Sequence, residues 1–401
     1  MSEEPDGPAR GDAAVGPEAT AAPERSPDEL AAPSGGRPFG PRDALLIFGI
    51  ALALRLVHLW CVRDMPFVEV PIVDAKAYDE WGQRIAAGDW WGDTVFYQAP
   101  LYPYFLGTFY AVFGHSLAGV HALQMAMGAA SCVLLALAAW ALFGDRAVAL
   151  ATGIAVAVYP PAIFFDGLIG KQGLGLLLLS GLLWLLLRQQ REARRGELVA
   201  AGALLGLLCL TRENALALVP ALVPWLAWRF WPEGLPRVGL VLALFAAGLA
   251  LVLVPVGLRN LAVGDTFALT TSQMGPNFYI GNHSGASGLY EPLLPGRQTP
   301  VFEASDAELL AERELGRELT RGEVSDYWMA KGLAFVRDEP VAWLGLMVRK
   351  TVLTWGAFEV PDVEDVYVFA DWSPIVRFGL PVYHFGVLAG LAAAGAVFAW
   401  P

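Results

Sequence analysis

Asp74 and Tyr78 stand one helical turn apart in the run VDAKAYDEW, within about a dozen residues of the end of the first long apolar segment of the chain. A carboxylate held beside an apolar segment is partly desolvated, which raises its pKa and suits it to act as a general base. If 75–88 is a surface helix, Asp74, Tyr78 and Trp81 share one face by i, i+4 and i+7 spacing. The competing structural reading makes Asp74 the N-cap of that helix. Asp166 ends the apolar run AVAVYPPAIFFDG. It serves either as an aspartate terminating a helix at an interface or as a second carboxylate for acid/base work or a divalent cation. Arg212 (LTRENA) and Arg259 (GLRNLAVGD) each follow an apolar segment. A pair of guanidinium groups clamps a phosphate or diphosphate well; interfacial arginines also reach to lipid phosphates. Arg349 and Lys350 supply a third cationic position.

Long apolar segments must position these groups. Hydrophobic residues make up 56% of the 401, and the mean hydropathy is +0.48. Together with recurring apolar runs long enough to cross a bilayer, this predicts an all-α polytopic membrane protein. The net charge of −12 argues against a nucleic-acid partner. Cys61, Cys132 and Cys209 have no paired spacing and read as small packing residues. The five histidines show no metal-ligand spacing, and no zinc site or other cofactor is assigned.

Residues 1–40 are rich in Ala, Pro, Gly and acidic side chains and read as a disordered cytoplasmic tail. No small-residue cleavage site precedes the first apolar run, which reads as a retained anchor. Spanning segments are expected at 43–62, 116–143, 147–165, 168–187, 197–210, 214–231, 238–258 and about 376–399. A central charge costs roughly 2.5–3.5 kcal/mol on insertion scales, so 341–357, with Arg349 and Lys350 at its middle, reads as interfacial. The most basic short loop, RQQREARR at 188–195, is expected in the cytoplasm. That parity requires 101–114 to be a surface or re-entrant helix. It then places Asp74, Tyr78, Asp166, Arg212, Glu213, Arg259, Asn260 and the segment 259–340 on the outer side.

Four regions follow: the tail 1–40; a membrane module 41–258 with its first outer loop at 63–115; an outer loop and cap region 259–340; and C-terminal membrane-associated helices 341–401. Within the cap, GPNFYIGN (275–282) reads as a loop. Ser305-x-x-Glu308 and Thr320-x-x-Glu323 read as capping boxes opening two helices.

The runs VDAKAYDEW, QAPLYPYFLGTFYAVFG, YPPAIFFDGLIGKQGL, LTRENALALVPAL and GLRNLAVGDTFALTTSQMGPNFYIGN, in that order, resemble the C-type glycosyltransferases. The resemblance is to the bacterial branch of glycosyltransferase family 39, related to protein O-mannosyltransferases and lipid A aminoarabinose transferases. It implies the C-type fold, with about 8–10 transmembrane helices and an extracytoplasmic cap, in a bacterial plasma membrane. It also implies an inverting transfer of a hexose or pentose from a polyprenyl-phosphate carrier to a protein, lipid or polysaccharide hydroxyl. In that frame Asp74 is the expected base and Asp166 lies near a second acidic position. Arg212, Arg259, Arg349 and Lys350 are donor-phosphate candidates. Tyr78, Gln98, Glu213, Asn260, Asn277, Tyr279 and Asn282 are pocket candidates. Many relatives have an acidic residue where this chain has Lys171 and Gln172, and some have a lysine where it has Gln98 and Ala99. Some also continue beyond the position of Pro401, so a truncated chain is one expectation. Two other readings fit the same composition: a lipid-linked glycan flippase, which needs polar groups distributed through its helices, and a non-catalytic subunit of an assembly complex.

Overall fold

The computed structural model describes residues 37–189, 194–361 and 363–398, whose regular structure is all helical, with no strand among them. Residues 1–36 of the proposed tail, the centre of the basic loop and the last three residues lie outside the described residues, while 37–40 are described, with Phe39 buried and Arg37 bonded to Asp43, so the described chain starts a few residues before the expected boundary.

Among the described residues, four helices are long and apolar enough to cross a membrane: Pro41–Val62 (α1), Leu117–Phe143, Leu235–Gly264 and the continuous helical segment Glu213–Glu233. A fifth arises if Arg146–Ala157 and Pro160–Asp166, bent by 57° at their break, count as one span. The chain is thus an integral membrane protein of all-helical class. By length and composition, however, fewer described helices qualify than the eight to ten expected. The physical reason is proline and glycine. The segment expected to cross at 147–165 breaks ahead of Pro160 and Pro161. The last expected span divides into Pro374–Gly379 and Phe385–Phe398. Gln172–Arg188 has 17 residues and Arg195–Cys209 has 15, both below the usual length of a span.

In chain order, α1 is followed by the single turn Pro66–Glu69 (α2), the amphipathic helix Val73–Ala86 (α3) and Leu101–Phe113 (α4). With 13 residues, α4 is too short to span. It packs on α3 through glycines: a Cβ at Gly82 would lie 2.8 Å from the Leu106 Cβ, and one at Gly107 2.5 Å from the Ile85 side chain. Next come Leu117–Phe143 (α5), the bent pair Arg146–Ala157 (α6) and Pro160–Asp166 (α7), Gln172–Arg188 (α8) and Arg195–Cys209 (α9). After a 3-10 segment at Glu213–Leu218 follow Val219–Phe230 (α10) and Leu235–Gly264 (α11). At 30 residues, α11 runs to roughly 45 Å, longer than a bilayer core, so it carries Arg259 and Asn260 past the apolar zone.

The main core lies among α5, α8, α9, α10 and α11. Between α9 and α11 the backbones touch: a Cβ on Gly202 would sit 2.0 Å from the Phe245 carbonyl oxygen, and one on Gly248 2.0 Å from that of Val199. Such small-residue seams replace the hydrophobic drive that is missing between helices in lipid. We expect Gly202→Val to force α9 and α11 apart, with loss of monodisperse protein in detergent gel filtration; an unchanged elution profile and melting temperature would disprove the seam.

The region after α11 is helical where a loop was expected. All of GPNFYIGN but its last residue, the C-cap Asn282, lies in Met274–Gly281 (α12), whose Gly275 lets it touch the Ser325 backbone. Pro300–Leu315 (α13) starts from Thr299, so Ser305 is inside the helix and not a cap, its hydroxyl bonded back to the Phe302 carbonyl. Pro at the first helical position explains the earlier start. The Thr320–Glu323 capping box is present and opens Arg321–Asp338 (α14). Pro340–Thr354 (α15), the turns Val366–Ala370 (α16) and Pro374–Gly379 (α17), and Phe385–Phe398 (α18) complete the described chain.

Candidate active site

Asp74 lies in the first turn of α3, whose N-cap is Ile72, so it does not cap the helix. Val73, just before it, has φ +43°, an outlier for a β-branched residue. Strain of this kind costs on the order of 1–3 kcal/mol and persists where the surroundings fix it. What fixes α3 is a buried network one turn later. The Asp79 carboxylate accepts from Tyr110 at 2.6 Å and Gln83 at 2.7 Å, and its Oδ1 lies 2.9 Å from His115 Nε2.

Asp166 closes α7, is 1% exposed and forms an ion pair with the equally buried Arg55 of α1 at 2.7 Å. Gly128 of α5 makes room for the pair: a Cβ there would lie 2.0 Å from Asp166 Oδ2. The turn after Asp166 is held by Gln124, whose amide donates to the carbonyls of Asp166 and Leu168 and whose oxygen accepts from Tyr102. This turn presents Lys171.

Two cavities adjoin there. The smaller, about 460 Å³, is lined by Asp74, Tyr78, Asp166, Lys171 and Arg212 together with Glu359 and Glu364 from the C-terminal part. The larger, about 1050 Å³, is lined by Lys171, Arg212, Glu213, Asn277, Asn282 and Lys350, among others. Lys171 and Arg212 line both. Among the described residues, neither of these two side chains donates a hydrogen bond or forms an ion pair. Lys171 Nζ sits 6.0 Å from the centre of the Tyr78 ring. Burial lowers the Lys171 pKa and Glu213 partly restores it. Glu213 accepts from Gln273 at 2.6 Å and Thr271 at 3.2 Å. Lys350 donates to the Gly281 carbonyl, and burial lowers its pKa as well. Asn282 accepts from the Trp343 indole at 3.1 Å.

Five other sequence candidates lie away from both linings. Arg259 is 6% exposed, and its guanidinium is spent on protein groups: it donates to the carbonyls of Trp91 and Thr94 and to Asn260 Oδ1, and stacks 3.8 Å from the Phe96 ring centre. Asn260, fully buried, accepts from the Phe96 backbone N–H and donates to the carbonyls of Ala268 and Thr270. These two residues clip the segment between α3 and α4 to the end of α11. Tyr279 stacks between Trp328 and His283. Gln98 and Arg349 line neither cavity. If Arg259 is a clip, Arg259→Lys should lower the melting temperature and leave the donor KM of the surviving protein unchanged; a raised donor KM at unchanged melting temperature would return it to the ligand. Among the described residues no three His, Cys, Asp or Glu side chains cluster as metal ligands.

Sequence reading missed Lys171, Glu359 and Glu364. Lys171 was noticed only as a departure, and the glutamates lie about 190 residues beyond it with no local signal.

Residues 97–257 match the family model for dolichyl-phosphate-mannose-protein mannosyltransferases, which are polytopic membrane glycosyltransferases. The matched stretch contains Asp166, Lys171 and Arg212; Asp74 precedes it and Arg259 follows it. No curated protein matches the chain.

Proposed function

We propose, from the match of residues 97–257 to the dolichyl-phosphate-mannose-protein mannosyltransferase family model, an enzyme that moves a sugar from a polyprenyl-phosphate carrier to an acceptor hydroxyl, with inversion. The observation that carries this reading is the wall of two cations, Lys171 and Arg212, between the two cavities. Lys171 is desolvated, and Glu213 offsets that cost only in part, so an anion supplied by a ligand would stabilise its charged form. A phosphate seated at that wall neutralises both charges.

The larger cavity then receives the carrier, with Lys350 as a further cation and Asn277 and Asn282 as amide donors. The smaller cavity receives the acceptor, with Asp74 as base. The acceptor oxygen attacks the anomeric carbon from the face opposite the phosphate. The new C–O bond forms as the bond to the phosphate oxygen breaks. The hydroxyl proton passes to Asp74, and the carrier phosphate departs with the bonding pair onto Lys171 and Arg212. Phosphate leaves readily, so no acid is needed on the donor side. Asp166, with one oxygen held by Arg55, orients the wall and does not carry the proton. The acceptor in this reading is a protein hydroxyl, and the site faces the extracytoplasmic side of a bacterial plasma membrane. The regions keep the division into a membrane module at 41–258, a cap at 259–340 and C-terminal helices at 341–401.

Reconstituted protein offered polyprenyl-phosphate-linked mannose and nucleotide-linked mannose in parallel tests the reading. Transfer from the lipid donor with the opposite anomer, assigned by NMR, is expected. Use of the nucleotide sugar, or retention of configuration, would refute it. Sidedness is tested in a cysteine-free background with Gly196→Cys and Ser305→Cys: an impermeant thiol reagent should label the latter and not the former in intact cells.

A further inference from the structure

A phosphate wall needs cations, yet this one has a carboxylate built beside it. Glu213 directly follows Arg212, opens the 3-10 turn Glu213–Leu218 and lines the larger cavity, not the smaller. Of the charged groups that act on Lys171, Glu213 has the largest effect. Its carboxylate is fixed from the segment 271–273. Gln273 and Thr271 both donate to its Oε1, at 2.6 and 3.2 Å, and both are buried. Ser272 between them donates its backbone N–H to the Phe96 carbonyl at 2.9 Å. Held in this way, Glu213 stays near the cations and closes no ion pair with either among the described residues.

The charged side chains lining the larger cavity are Lys171, Arg212 and Lys350 against Glu213 and Asp326. The lining thus carries a single positive charge in excess. The two lipids that occupy this cavity in the proposed reaction differ in charge. A sugar joined to polyprenyl phosphate is a phosphodiester with a single negative charge, which that excess balances. Breaking the sugar–phosphate bond leaves a phosphomonoester, with a charge of about −1.5 to −2 at pH 7. Lining and lipid together then hold more negative than positive charge, and Glu213 is the carboxylate next to the wall.

We propose that Glu213 lets the wall distinguish the sugar-loaded carrier from the spent one, holding the diester and expelling the polyprenyl monophosphate after transfer. This rests on the reading of Lys171 and Arg212 as the phosphate wall. Repulsion from Glu213 acts on both lipids in proportion to their charge, so it falls up to about twice as heavily on the product. The cations alone would bind the product more tightly than the donor, and each turnover would end with a trapped carrier. Glu213 is therefore a specificity-determining residue. It takes no proton and forms no bond; it decides which lipid the cations retain.

The test uses the full chain in proteoliposomes with a fixed threonine peptide, polyprenyl-phosphate-linked mannose as donor and polyprenyl phosphate as the competing lipid. Glu213→Gln keeps an oxygen for Gln273 and Thr271 and removes only the charge. The variant should bind polyprenyl phosphate at least roughly ten-fold more tightly, read as its inhibition constant, while donor KM falls by about three-fold or less. Steady-state kcat should fall as carrier release slows. Glu213→Asp, which keeps the charge, should keep the wild-type ratio of the two constants. Asp326→Asn, at an exposed position on the same lining, should move the ratio the same way by less, and it carries the test if Glu213→Gln folds poorly. An unchanged ratio in both neutral variants, or weaker binding of both lipids, would overturn the inference. Lys171→Met in the same assay separates it from the reading beneath. Weaker binding of both lipids there keeps the wall; no change in either would overturn the wall and the inference together.

Discussion

Asp74→Asn should lower the transfer rate by roughly 10²–10⁴-fold, the usual cost of removing a positioned general base. The substitution keeps the shape and polarity of the side chain. Asp74 is not the cap of α3, whose N-cap is Ile72, and the helix is held from Asp79 and from the glycine contacts with α4. Folding should therefore survive: expression, detergent extraction and melting temperature should match wild type while kcat falls. The first helical turn favours a carboxylate by only about 0.3–1 kcal/mol, a loss too small to explain inactivity by unfolding. A stable variant with full activity would remove Asp74 from the chemistry.

Asp166→Ala carries the second large effect, and of a different kind. It would leave the Arg55 guanidinium, itself fully buried, without its carboxylate. Breaking one side of such a pair typically costs about 3–5 kcal/mol, because the remaining charge cannot be solvated. We expect low yield and a markedly depressed melting temperature in detergent. The double variant Arg55→Met, Asp166→Leu, apolar on both sides, should recover much of the stability. It should not recover full activity, since the turn carrying Lys171 would no longer be oriented by the pair. Asp166→Ala with normal stability and lost transfer would instead make Asp166 a participant in the reaction.

Much of this was legible before any coordinates. The run of apolar segments specified the class, and the i, i+4 spacing put Asp74 and Tyr78 on one face, where both line the same cavity. The Thr320 capping box was readable because its two residues are three apart and satisfy each other locally. What the sequence could not show shares one cause, partners distant in sequence. Arg259 donates to the carbonyls of Trp91 and Thr94, 168 and 165 residues away. Asp166 pairs with Arg55 at a separation of 111. Lys171 was legible only as a cation where relatives carry an acid, and its meeting with Arg212 on the two cavity linings depends on residues about 40 positions apart. Length was misread where Tyr159–Pro160–Pro161 interrupts an apolar run, since hydropathy averages over a break that proline geometry enforces.

The central claim is that Lys171 and Arg212 together hold the phosphate of the lipid donor. The most direct measurement is the donor KM of Lys171→Met, Arg212→Met and the double variant, in proteoliposomes with polyprenyl-phosphate-linked mannose and a fixed acceptor. Each lost charge-assisted contact to a desolvated anion costs about 1.5–3 kcal/mol, a roughly ten- to hundred-fold loss in donor use. Acceptor KM should barely move, and the double variant should fall further than either single one. Unchanged donor KM in the stable double variant would contradict the account, because the two cations on the shared wall would then have no anion to hold.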